Sequence, residues 1–290
     1  VYYLMKRKGD ALCAFGEVLE REPSAVHPLS FSVQLLLEEH RFGEALALCE
    51  RAASHAGAPA HAVAVARHLR GRVELARGNR AEAERMLLSA VQAEPNLLAP
   101  HVLLTGLYLE EKRAPELVSH FETVLAKSPD FLPGYMILGM IHDRAGDRDK
   151  ANRSYRKALA VKPDFAPAAN NLAWNLAAGG EDLDEAFSLA RTAKSGMPDD
   201  PHVSDTMGWV YHLLGHHWKA AGELEHALSI LPGDPLITCH LGRVYLEAGE
   251  EERGRALLRR ALESGDGFPG AEEAKLLLGA EPHRDGGAAS

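Results

Sequence analysis

The sequence predicts an all-α solenoid of stacked antiparallel helix pairs, and three observations carry that prediction. Prolines closing an Ala- and Leu-rich stretch recur at Pro95, Pro129, Pro163, Pro198 and Pro232, at intervals of 34, 34, 35 and 34 residues. Between them, small and apolar residues repeat at steps of three and four, which places them on one face of an α-helix. A glycine falls near the middle of most intervals, where positive φ lets one helix end and a second begin. The composition agrees: of 290 residues 46% are hydrophobic but only 6% aromatic, with strong helix formers dominant.

At the start, Ala11, Phe15, Val18 and Pro23 have the spacing of a second helix, with Tyr2 in the helix before it. Residues 1–25 therefore read as a partial unit, as though the chain began inside a longer array. Residues 26–59 carry Leu29, Leu36, Ala45, Cys49 and Ala52 but no closing proline. Residues 64–97 carry Gly71, Gly78, Ala83, Leu87, Ala90 and Pro95, preceded by four extra residues, Ala60–Val63. The unit 98–131 closes on Pro129, and 132–165 carries Tyr135, Leu138, Gly139, Gly146, Ala151, Tyr155 and Ala158. In 166–200 the pattern is Leu172, Ala173, Leu176, Ala186, Ala190 and Ala193, with one extra residue in the turn. The unit 201–234 has Met207, Gly208, Tyr211, Gly215, Ala220, Leu224 and Ala227. The unit 235–268 repeats it with Leu241, Gly242, Tyr245, Gly249, Gly254, Leu258 and Ala261. Residues 269–280 read as a capping helix over the last apolar face, and 281–290, small and polar, as a disordered tail.

This pattern resembles the tetratricopeptide repeat family, in its bacterial form. The resemblance rests on a large-small pair in the first helix with an aromatic three residues on, a small-large-small run in the second, and a terminal proline. It implies a right-handed superhelix of about seven units whose first helices line a concave face. Arg67 and Arg70 depart from it, falling where the family buries apolar groups, so the first helix of 64–97 is expected to be longer or rotated. Runs such as NNLAWNLA and DTMGWVY are loosely similar to repeat proteins associated with exopolysaccharide export and its C-terminal sorting system.

A hairpin of this length cannot bury its own apolar face, so neighbours stack and leave a long hollow surface for a guest. On the first helices, residues beside the core positions form a strip: Met136 and Met140, then Asn170 with Trp174, Asp205 with Trp209, and Cys239 with Arg243. Asn171 adds a second amide and His212 follows Trp209 by one turn. Trp and Arg are enriched at binding hot spots, and the amides suit a peptide backbone. The expected function is a scaffold that binds a protein or peptide, without catalytic residues or cofactors. The alternative is the regulatory or substrate-recruiting arm of an enzyme with an upstream catalytic domain. The resemblance also sets limits. A carboxylate clamp would need Lys and Asn where Met136, Asn170 and Asp205 stand. An asparagine ladder would need amides at Leu103, Ile137, Asn171, Thr206 and His240.

Charge points the same way. The formal net charge is −9, and residues 166–290 hold 10 basic against 20 acidic side chains, a net −10. Such a surface repels phosphate and attracts basic segments, so a basic partner is expected and nucleic acid is not. There is no run of about 18 apolar residues, hence no expected membrane span. Cys13, Cys49 and Cys239 are odd in number and form no CxxC pair, which suggests packing residues and leans weakly to a reducing, cytoplasmic compartment, although a periplasmic protein with free buried thiols has the same pattern. His212, His216 and His217 cluster at a turn but lack a metal motif and read as surface histidines. The basic run at 67–72 reads as a solvated face.

Overall fold

Alternation of small-residue faces with glycine turns produces helix pairs throughout. The computed structural model describes residues 7–265 and 267–279, and every regular element among them is an α-helix. The first helix of the expected partial unit and the expected disordered tail lie outside the described residues. A single helix, α1 (Lys8–Arg21), is followed by α2 (Val26–Glu38) and α3 (Phe42–Ala53), then α4 (Ala60–Ala76) and α5 (Arg80–Ala93), then α6 (Leu98–Glu110) and α7 (Ala114–Lys127). The chain continues with α8 (Leu132–Arg144) and α9 (Arg148–Val161), α10 (Ala166–Gly179) and α11 (Leu183–Gly196), α12 (Pro201–Leu213) and α13 (His217–Ile230), α14 (Pro235–Glu247) and α15 (Glu251–Glu263), and ends in α16 (Ala271–Gly279).

The chain forms two compact units that divide between Ile137 and Leu138, within α8. In the first, Leu19, Leu29, Val33, Ala45, Cys49, Val65 and Leu69 form one continuous core across α1 to α4. In that unit α4 runs for 17 residues and takes in Ala60–Val63. Arg67 and Arg70 remain half-buried and are satisfied locally: Arg67 donates to the Ser89 carbonyl at 3.2 Å, and Arg70 pairs with Glu50 and with Glu82 at 3.3 Å. The basic run is therefore tied to neighbouring helices rather than merely solvated; Arg72 also donates to Gln34 at 2.8 Å.

In the second unit, Ala220, Leu224 and Ala227 of α13 pack with Ile237, Leu241 and Val244 of α14. Cys239, Leu258 and Ala261 pack with Ala274 of α16, which covers the last apolar face. Cys49 and Cys239 are buried as expected of packing residues, but Cys13 is exposed on α1.

Two backbone devices recur. First, a glycine of the first helix faces a large side chain 16 residues later: Gly71 meets Leu87, Gly139 meets Tyr155, Gly208 meets Leu224, and Gly242 meets Leu258. A Cβ on Gly208 would lie 2.7 Å from Leu224 Cγ, so only hydrogen lets the paired helices close. Second, the turn inside each hairpin needs left-handed backbone. Glycine supplies it at most turns, as at Gly215 (φ 76°), whereas His40 (φ 56°) and Lys112 (φ 57°) adopt it at a steric cost. Entry to the later helices is fixed by caps: the Asp200 carboxylate accepts from the amides of His202 and Val203, and Asp234 accepts from Ile237.

Candidate functional site

The first helices of the second unit, α10, α12 and α14, put every fourth residue on a common face. Between repeats, positions one period apart become neighbours. His240 thus arrives beside Asp205, 35 residues earlier, and its Nδ1 donates to Asp205 Oδ1 at 2.7 Å with both side chains buried. The His240 ring lies 4.4 Å from the Trp209 ring and 5.6 Å from that of Trp174. The two indoles are themselves 6.3 Å apart. The Arg243 guanidinium sits 5.2 Å from the Trp209 ring, on one side of this stack. Arg243 is held by Glu247 at 3.3 Å and by Glu273 of α16.

Two cavities flank the stack and share Trp174 and Leu236 in their walls. One, of about 360 Å³, is walled by Met140, Asn170, Asn171 and Trp174, with Asp205 and Thr206 opposite. Its polar floor is preorganised. Tyr155 donates to Asp143 at 2.6 Å, Asn171 donates to the Tyr155 hydroxyl at 3.2 Å, and Asn175 donates to Asp143 at 2.7 Å. Burial and the adjacent Asp143 carboxylate push the Tyr155 phenol well above its usual range, so it stays a neutral donor. Asn170 donates to Asn171 at 3.4 Å, while its own carbonyl Oδ1 is buried and has no hydrogen-bond partner among the described residues.

The other cavity, of about 420 Å³, is walled by Trp174, Trp209, Cys239, His240 and Arg243, and by Glu273 and Leu277 of α16. Burial raises the Cys239 thiol to about 11, so it is a neutral packing group there. A larger cavity of about 770 Å³ shares no residue with these two; Glu225, Leu228, Arg253 and Leu257 of the second helices line it.

The expected strip is therefore only partly a strip. Met140, Asn170, Asn171, Trp174, Trp209 and Arg243 line the cavities, and Met140 is 56% exposed. Asp205 also reaches a cavity wall but is 5% exposed and committed to His240. Met136 is half-buried, belongs to the first unit and lines neither cavity. His212 corrects the expectation twice. It is 4% exposed rather than a surface histidine, and it lies under Trp209, ring to ring at 4.9 Å, not in a cavity wall. Burial lowers its imidazole to about 4, keeping it neutral near pH 7. Helix-face spacing does not single out His240, Asn175, Tyr155 or Glu273, which the structure adds to the cavity walls. His240 occupies the position where an amide was sought and not found, and its spacing of 35 from Asp205 was the available signal.

Comparison with known proteins follows the same lines. A family model described as "Tetratricopeptide repeat" matches residues 138–201, and a second of the same description matches 64–88 and 235–260. The chain carries tetratricopeptide repeats. The Cellulose synthase operon protein C of Xanthomonas axonopodis pv. citri is 29% identical over 273 residues, covering 90% of this chain and 16% of that protein. The Protein O-mannosyl-transferase TMTC1 of Mus musculus is 27% identical over 138 residues, covering 47% of this chain and 14% of that protein. The chain thus spans less than a fifth of the length of either relative. Among solved structures, the APC/C hetero-tetramer Cut9–Hcn1 superposes with a TM-score of 0.57 at 17% identity, covering 94% of this chain and 52% of that one, a likeness of fold. Among the described residues no helix is long and apolar enough to cross a membrane.

Proposed function

We propose that this tetratricopeptide-repeat chain is an interaction scaffold, and that its second unit seats an extended peptide segment of a partner protein along the first-helix face. Tetratricopeptide repeats mediate protein–protein interaction in general; the location and chemistry are the proposal. A single observation supports it most. Asn170 Oδ1, without a hydrogen-bond partner among the described residues, is buried in a cavity lining that also holds Trp174. A buried acceptor without a donor costs about 1–3 kcal/mol, and a peptide N–H entering the cavity removes that cost. Trp174 and Trp209 then offer apolar area at little entropic cost to alternate side chains of the guest. Asp143 and Glu273, one in each cavity wall, favour a guest with basic residues.

The test is a peptide-display selection against the whole chain, followed by titration of the selected peptides into variants. Trp174→Ala and Asn170→Leu are expected to weaken binding at least tenfold while helicity by circular dichroism stays unchanged. Selected peptides that bind both variants as tightly as the parent would place the guest elsewhere, for example on the second-helix cavity.

A second reading is that the repeats recruit substrate for a longer enzyme. The similarity to part of a protein named as an O-mannosyl-transferase favours it. A catalytic domain in the same polypeptide, and loss of its action on protein substrates with Trp174→Ala, distinguish this reading from a pure scaffold.

A further inference from the structure

We propose that His212, His217 and Glu247 form a site for a divalent transition-metal ion of the zinc class, stapling two consecutive repeats. His212 closes the last full turn of α12, His217 opens α13, and Glu247 ends α14 in the next repeat. One ligand atom from each of the three lies within 4.8 Å of the others. His212 Nδ1 is 3.6 Å from a Glu247 carboxylate oxygen.

An independent observation points to a ligand. The Nδ1 atoms of both His212 and His217 are buried and have no hydrogen-bond partner among the described residues, and His212 is 4% exposed. Two orphaned ring nitrogens on facing imidazoles, 5.7 Å apart by centroid, are costly unless something accepts their lone pairs. A cation does so for both at once. Two imidazoles and one carboxylate are a common zinc set, with a fourth position left to water. At metal–ligand distances of about 2.0–2.2 Å, tetrahedral ligands stand about 3.3 Å apart, so the observed spread closes by rotation of a few side-chain torsions.

Glu247 is the exposed member of the three. Its side chain is 44% exposed and shares a 3.3 Å contact with Arg243, which retains Glu273 when Glu247 turns away. The Arg243 charge opposes the incoming cation, and this competition sets a micromolar rather than nanomolar expectation.

The probes are Zn²⁺ and Co²⁺, titrated by calorimetry into tag-free, chelator-stripped full chain at pH 7.5. One equivalent is expected to bind, Co²⁺ giving the intense visible band of four-coordinate cobalt, and Zn²⁺ in hundredfold excess over Kd raising Tm by roughly 5 °C. Glu247→Gln and His217→Gln sit at helix ends and are each expected to weaken binding at least tenfold. His216→Gln, one residue from the site and exposed, is expected to leave it unchanged. The proposal is overturned by no saturable one-to-one binding below about millimolar metal, by binding indifferent to Glu247→Gln and His217→Gln, or by loss of binding in His216→Gln.

Discussion

The pairing of His240 with Asp205 anchors the aromatic stack, and removing it makes a sharp test of how the groove is held. His240→Ala leaves the Asp205 carboxylate, whose side chain is 7% exposed, without its donor. Breaking a buried pair in this way costs about 3–5 kcal/mol in a sealed interior. Here both residues reach a cavity wall, so water can enter the vacated space and lower the penalty. Loss of the ring contacts to Trp209 at 4.4 Å and Trp174 at 5.6 Å adds about 0.5–1.5 kcal/mol to the destabilisation. The expected destabilisation is about 2–4 kcal/mol. Asp205→Ala should cost less, because it removes the buried carboxylate itself and leaves the His240 ring its contacts with Trp209 and Trp174. The coupling from the double-mutant cycle should be about 1–2 kcal/mol. All three tryptophans, Trp174, Trp209 and Trp218, lie in the second unit, so urea unfolding followed by tryptophan emission reports that unit. A coupling below about 0.5 kcal/mol would refute the claim that this pair holds the stack.

Other predictions follow from local geometry. Within the α12–α13 hairpin, Gly208→Ala places a methyl 2.7 Å from Leu224 and should cost about 1–3 kcal/mol, whereas Gly222→Ala meets nothing within 4 Å and should gain about 0.5–1 kcal/mol. Chemical denaturation of both variants checks the opposite signs. Lys112→Gly relieves a left-handed φ of 57° and should raise stability by up to about 1 kcal/mol; a lower Tm would show that Lys112 makes a compensating contact. Burial lowers His68, His120 and His212 to about 4, against about 6.5 when unfolded, so the unfolded chain binds more protons between those values. Stability is therefore full above pH 6.5 and is lost as pH falls toward 4, by about 1–2 kcal/mol per histidine. Tm measured from pH 7.5 to 4.5 should fall over that window, and a flat profile would contradict the burial.

What the linear chain carries best is whatever repeats along it. The proline period, the glycine turns and the small residues of the second helices are local demands of helix ending, left-handed backbone and close packing, so helix pairs were legible without coordinates. The positions of Asn170, Trp174, Trp209 and Arg243 on the first helices were legible too, since helical spacing alone assigns a face. Which of those side chains stay open to a guest was not. Asp205 and His212 have the same spacing as their neighbours, yet one is spent on His240 and the other lies beneath Trp209. Asp205 meets His240 and His212 meets Glu247, each 35 positions away and brought into contact only when repeats stack. Glu247 joins His212 and His217 in the same way, from the next repeat, where no local motif announces it. In a solenoid each residue's periodicity sets its face, whereas burial, pairing and protonation are set by the neighbouring turn of the array, and that neighbour is defined only by the folded structure.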